Sequence, residues 1–155
     1  MSEELSKFQL SLLQVLDEAI KIDGATKGNV QLLNPELGGL QIVVHRGFDQ
    51  SFLQLFELVR RDDPTPCARA LRYQRRVVIP DITRDSYSAP YLSIARANNI
   101  LAVQSTPIMG EDGLVKGVLT TYFPKAHILS DEASRGLDDC AYELARLITE
   151  QKKLR

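Results

Sequence analysis

The stretch from Ile100 to Phe123 constrains the architecture more than any other. "ILAVQSTPIM" and "LVKGVLTTYF" are two apolar, β-branched runs on either side of "GEDG", the pattern of a β-hairpin. If Gly110 to Gly113 makes the turn, Met109 opposes Leu114; if Asp112 and Gly113 form a two-residue turn, Glu111 does. Both registers give one parity, because successive side chains of a strand alternate between faces. Ala102, Gln104 and Thr106 then share a face with Gly117, Leu119, Thr121 and Phe123, and Val103 and Ser105 share the other with Val118, Thr120 and Tyr122. A β-bulge between the strands would break this alternation.

Both faces are mostly apolar, so the sheet has to be covered on both sides. Three consecutive polar residues, Gln104, Ser105 and Thr106, nevertheless sit mid-strand, and each costs roughly 1–3 kcal/mol if buried without a partner. The parity splits them. Ser105 joins Thr120 and Tyr122 on the face assigned to a pocket, whereas Gln104 and Thr106 face the other way with Thr121 and are expected to bond internally.

The two ends of the chain can supply one cover. Ser2 followed by Glu3 and Glu4 reads as a helix cap with acidic residues at the positive end of the dipole. Leu5, Phe8, Leu12, Val15 and Ala19 then recur at spacings of three and four, an amphipathic helix to Ile22. Ser130, Asp131 and Glu132 repeat the cap at the other end, ahead of Leu137, Ala141, Leu144 and Ile148 and a cationic "QKKLR". The apolar faces are wide enough that both helices are expected to pair with a second copy in a helical bundle, with Leu144 in the seam.

Between them, "NVQLLN" and "LQIVVHR" form a hairpin about "PELGG", and "RVVIPDI" is a short strand. "DQSFLQLFELV", "PTPCARALRYQ" and "APYLSIARANN" read as short helices. The fold class is therefore α+β, an antiparallel sheet of five to six strands with terminal helices on one face. A roof of short helices and loops packs less completely than long helices, and a small-molecule pocket forms in such a gap.

At 155 residues the chain is one domain's length and large enough for a core without metal or disulfide. Its 25% charged residues and net charge of −1 argue against nucleic acid as the main partner. No apolar run approaches the ~20 residues of a membrane span, and the acidic start is unlike a signal peptide; a cytoplasmic location is expected, away from membranes. Cys67 and Cys140 form no metal-ligand spacing, nor do His45 and His127. No Walker loop, GxGxxG or Ser/His/Asp order occurs, so neither cofactor nor metal is expected and the chain reads as a non-enzyme.

Taken in order, "GNVQLLN", "LQIVVHRGFDQSFLQLFELV", "CARAL", "RRVVIPDI", "LAVQSTPI", "GVLTTYF" and "LSDEASRGLD" resemble a GAF domain of the type found beside bacterial sensor histidine kinases, over roughly Ala19 to Ile148. The resemblance implies terminal helices that often pair into a dimer on one side of the sheet and a ligand pocket on the other. Asp81 is similar to the pocket Asp of the related phytochrome chromophore domains. Two departures stand out. Cys67 and Ala68 replace a common Cys-Gly pair, and Thr120, Thr121, Tyr122 and Phe123 replace a Ser-Thr-His-Phe run, so Tyr122 removes a potential acid–base or ligand group.

The candidate ligand-binding residues are Ser105, Thr120, Tyr122, Val103, Asp81, Tyr91 and Cys67, with Tyr87 as a second tyrosine in the loop before the central helix. Cys67 stands where a helix start favours a thiolate, but a small buried residue is the more ordinary role, as for Cys140. Arg69, Arg72 and Arg76 share a helical face, read as solvated and balanced by Asp62 and Asp63 rather than as an anion site. The expectation is a small-molecule-sensing module of bacterial signal transduction that acts as a homodimer on a histidine kinase or another signalling protein. It would work in trans or as a region of a longer sensor. A ligand-free scaffold and a Cys67-based redox sensor or sulfoxide reductase are the alternatives.

Overall fold

The computed structural model describes residues 4–154. Six strands, β1 (Lys27–Asn34), β2 (Gly39–Arg46), β3 (Val59–Arg60), β4 (Val77–Ile79), β5 (Ala102–Met109) and β6 (Val115–Phe123), make one antiparallel sheet in the order β3-β2-β1-β6-β5-β4. Five α-helices accompany it: α1 (Lys7–Lys21), α2 (Gln50–Leu55), α3 (Pro66–Tyr73), α4 (Leu92–Ala97) and α5 (Asp131–Lys153). The segment from Asp49 to Val59, expected as one helix, divides. Asp49 caps α2 by accepting from the Phe52 amide, and the chain then extends so that buried Val59 pairs with Leu40.

Ser6, rather than Ser2, caps α1. Its hydroxyl accepts from the Gln9 amide while the Gln9 side chain accepts from the Ser6 amide, both at 3.0 Å. This reciprocal box needs a Gln or Glu three residues on, which Ser6 has and Ser2, followed at that spacing by Leu5, has not. Ser2 and Glu3 lie outside the described residues. At the other end Ser130 caps α5 and Asp131 and Glu132 fill its first turn.

α1 and α5 lie side by side on one face of the sheet, and their apolar stripes meet Val30, Val44, Ile108 and Leu119 from the strands. Leu12, Leu16 and Leu144 are wholly buried there. Leu144 therefore belongs to the core of one chain and not to a seam between copies. The stripe is wide because two helices and a twisted sheet converge on it. Among the described residues no helix is long and apolar enough to cross a membrane.

The β5–β6 hairpin has the expected faces, reached by a route the turn residues did not suggest. The Gly110 amide bonds to the Leu114 carbonyl, with Gly113 in the left-handed region at φ 78°; this closes the loop one residue out of step with both simple registers. Lys116 is then extra in β6, between the pairs Met109↔Val115 and Ile108↔Gly117. The bulge restores the parity, and Ser105 pairs with Thr120, Gln104 with Thr121 and Val103 with Tyr122. Gly117 follows the bulge because a Cβ there would stand 2.2 Å from the Gln31 carbonyl oxygen of β1.

The helix-side polar residues bond to one another. The Gln104 Nε2 donates to Thr121 Oγ1 at 2.9 Å, and the Thr106 hydroxyl donates to Gln104 Oε1. Arg76 Nε donates to Thr106 Oγ1 at 2.9 Å while its terminal nitrogen reaches the Ser134 carbonyl and Asp138 of α5.

Candidate functional site

The opposite face of the sheet carries two smaller apolar clusters under α2, α3, α4 and two 3-10 turns, Ile82–Arg84 and Ser86–Tyr91. Between this roof and the strands is a cavity of about 70 Å³. Its floor is alternate residues of three neighbouring strands: Asn29 and Gln31 from β1, Thr120 and Tyr122 from β6, and Val103 and Ser105 from β5. Phe52 and Phe56 descend from α2, and Thr65, Pro66 and Cys67 come from the start of α3. Ile82, Ser88 and Tyr91 with Ile94 and Ala95 of α4, and Ile100, close the remaining side. Phe52 and Phe48 stack at 4.0 Å, and Tyr122 meets Phe48 edge-on at 5.1 Å, the offset and edge contacts that aromatic rings prefer.

Ser105 and Thr120 bond to each other through their hydroxyls at 2.8 Å. Asn29 Nδ2 donates to the Tyr122 hydroxyl oxygen at 3.3 Å. Burial pushes the Tyr122 phenol well above its ordinary value, and the nearby Cys67 adds to this, so the ring is a neutral donor. Asn29 Oδ1 and Gln31 Oε1 are different. Both are buried and have no hydrogen-bond partner, although their residues are only 1% and 2% exposed. Such an arrangement costs free energy unless something in the cavity donates to them.

Six of the seven candidates from the sequence, Ser105, Thr120, Tyr122, Val103, Tyr91 and Cys67, line this cavity. Asp81 does not. Its carboxylate caps the turn at Ile82, accepting from the Thr83 amide at 3.0 Å and the Thr83 hydroxyl at 2.6 Å, and those bonds hold its carboxyl below the usual range. Tyr87 is 58% exposed and lies under the Arg69 guanidinium. Asn29 and Gln31 were not singled out. The signal for them was available: in "GNVQLLN" the polar residues 29 and 31 alternate with Val30 and Leu32, the period-2 pattern used on β5 and β6.

The arginines of α3 correct the expectation of a solvated face. Arg69 is buried and forms a two-point pair with Asp85, at 3.3 and 2.9 Å, and Asp85 also accepts from the Ser88 hydroxyl at 2.6 Å. Arg72 donates to the carbonyls of Arg61 and Asp63. Arg76 turns to the helix side as described. The three share a helix and its exit but serve three separate junctions, because each finds an acceptor within its own reach.

Cys67 is a thiol in an apolar setting. Burial pushes it up, offset only in part by bonds from Thr65 and Gln31, although it sits in the first turn of α3. Cys140 lies on the other side of the sheet, where burial, Glu18 and Asp139 raise it to about 11. His127 has a carboxylate partner, Asp23, that is distant in sequence, and it stacks on Phe123 at 4.3 Å. Among the described residues no group of three or more His, Cys, Asp or Glu is placed to hold a metal ion.

The GAF domain family model matches residues 12–149. No curated protein matches the chain in sequence. Among solved structures, a domain assigned to a two-component sensor histidine kinase protein of Sinorhizobium meliloti is 15% identical and superposes with a TM-score of 0.78, covering 96% of this chain and 94% of that domain. A GAF domain/HD domain protein from Geobacter sulfurreducens gives 16% identity and 0.76, covering 96% and 95%. A type II free methionine-R-sulfoxide reductase from Thermoplasma acidophilum gives 18% and 0.74, covering 95% and 96%. At such identities the likeness speaks for the fold alone.

Proposed function

Because the chain belongs to the GAF domain family, we propose that it is a non-catalytic sensor module whose sheet holds a small molecule on one face and passes its presence to the terminal helices on the other. The observation that carries this reading is the cavity floor, where Asn29 Oδ1 and Gln31 Oε1 lie buried without protein partners. Ligand binding works as a signal only through a difference in affinity between two arrangements of the chain. The strands β1, β5 and β6 supply both the cavity floor and the bed of α1 and α5, so a rearrangement of the floor is felt by the helices. Arg76 adds a polar link from Thr106 of β5 to α5.

The chemistry of Cys67 favours binding over thiol catalysis, since a thiol raised by burial supplies little thiolate at neutral pH. We place the outputs at the helix surfaces, where Leu10 of α1 and Tyr142 of α5 remain exposed and suit a second copy or a signalling partner such as a histidine kinase. The Ser105–Thr120 bond favours one rival reading, a scaffold that needs no ligand.

A thermal-shift screen of small metabolites, nucleotides included, separates the two. A ligand at a hundred times its Kd stabilises by about 2.7 kcal/mol, roughly 5–11 °C for a domain of this size. Ser105→Val with Thr120→Val, which removes both hydroxyls together, should lower that gain. If no metabolite raises the melting temperature and the double variant is as stable as the parent, the scaffold reading replaces the sensor.

A further inference from the structure

Resting on the sensor reading, we propose that the cavity takes a small, flat, uncharged molecule bearing N–H donors, of the amide, cyclic urea or azole class. The cavity's own hydrogen-bonding pattern selects this chemistry. Asn29 Oδ1 and Gln31 Oε1 are buried acceptors without partners, two residues apart on one face of β1, which sets their backbones about 6–7 Å apart. They call for donors at two edges of one molecule. The Tyr122 oxygen already accepts from Asn29, which leaves its O–H free to donate to a carbonyl or ring nitrogen.

Charge narrows the class further. Among the described residues none that lines the cavity carries a formal charge, and the buried Arg69 is neutralised by Asp85. A carboxylate or phosphate would bring acceptors to acceptors and lose its hydration without a counter-charge. Size and shape agree. About 70 Å³ holds roughly five to seven water-sized spheres, and four aromatic side chains, Phe52, Phe56, Tyr91 and Tyr122, line the space, apt partners for a planar guest.

The test uses acetamide, 2-imidazolidinone and pyrazole as probes, with acetate and pyrazole-4-carboxylate as matched anions and a nucleoside monophosphate as a larger one. Binding is followed by amide chemical shifts in NMR and by thermal shift. The uncharged probes should bind saturably, and the anions at least tenfold more weakly. Gln31→Leu and Asn29→Leu should each raise Kd about tenfold. Gln31→Leu should be about as stable as the parent, since losing an unpaired acceptor offsets losing the bond to Cys67, so its loss of binding is not a loss of fold. Gln31→Glu should reorder the preference from acetamide towards acetamidinium by about tenfold, an inversion that a purely structural role of Gln31 would not produce. If only the carboxylates or the nucleotide bind, this ligand class is wrong while the sensor reading stands. Saturable binding of the neutral probes that ignores both substitutions also overturns it. Failure of every probe and every metabolite removes this proposal and the sensor reading together, leaving the cavity to water.

Discussion

Within the roof, α3 is tied to the two 3-10 turns by a buried ion pair, and removing its acidic partner should destabilise the domain far more than removing the pair. Arg69 has a side chain only 8% exposed and Asp85 one 18% exposed. Asp85 receives both terminal nitrogens of Arg69 and the Ser88 hydroxyl, and Arg69 Nε has no partner at all. Asp85→Ala therefore leaves a buried guanidinium with only the face of Tyr87, 5.3 Å away. Breaking a buried pair from one side costs about 3–5 kcal/mol; the partial exposure of Asp85 points to the lower end, about 3 kcal/mol. For a chain of this size that is a drop of roughly 6–12 °C in melting temperature.

Arg69→Met alone should also destabilise, through the unpaired carboxylate, but the Arg69→Met, Asp85→Ala double variant should recover most of the loss, because apolar groups can replace a buried pair at little net cost. Urea unfolding of the parent, both single variants and the double variant at constant pH gives the coupling, expected at about 2 kcal/mol. The two effects adding within about 0.5 kcal/mol would refute the claim that this pair acts as a buried unit.

Two further outcomes follow from other sites. His45 has its pKa lowered by burial, with Arg46 adding to the effect, and its Nδ1 is unpartnered. The unfolded chain then binds the proton more tightly, so stability is full above the ordinary value of 6.5 and falls as pH drops from there through the lower folded value; urea midpoints between pH 7.5 and 5.5 should fall less in His45→Gln than in the parent, and equal slopes would remove His45 from the account. Tyr142, 77% exposed on α5, tests the proposed pairing of helices: Tyr142→Glu should lower the sedimentation coefficient of a dimeric parent while leaving the melting of a single chain nearly unchanged, and an unaltered profile would place any dimer contact elsewhere.

The sequence made the layers readable where burial imposes a period. Strands β1, β2, β5 and β6 follow from apolar, β-branched runs bounded by turn residues, and both terminal helices from three–four spacing, since the sheet is covered on both faces and each helix on one. β3 was not readable, because two residues carry no period and Val59 is strand only through its pairing with Leu40. The fate of Leu144 was hidden for a related reason: an apolar stripe states that a face is covered but not by what, and here the cover is the chain's own sheet. Asp81 and Arg69 were misplaced because short polar side chains and guanidinium groups are settled by the nearest acceptor or donor, which depends on how loops close. The Thr83 amide and Asp85 supply those partners.

The β5–β6 hairpin shows how a correct face assignment can rest on compensating local structure. Gly113 in the left-handed region closes a loop with Gly110 opposite Leu114, a register that by itself would pair Ser105 with Leu119 and put Ser105 and Thr120 on opposite faces of the sheet. Lys116 then bulges out and turns the alternation back. Loop and bulge succeed together because only the restored parity buries Leu119 and Ile108 under α1 and α5 and places Gly117 where β1 approaches too closely for any side chain. The core, rather than the turn, therefore sets which residues face the cavity. Asn29 and Gln31 obey the same rule through β1, with Val30 between them buried against the helices, and for that reason the two unpaired amide oxygens belong on the cavity floor beside Ser105, Thr120 and Tyr122.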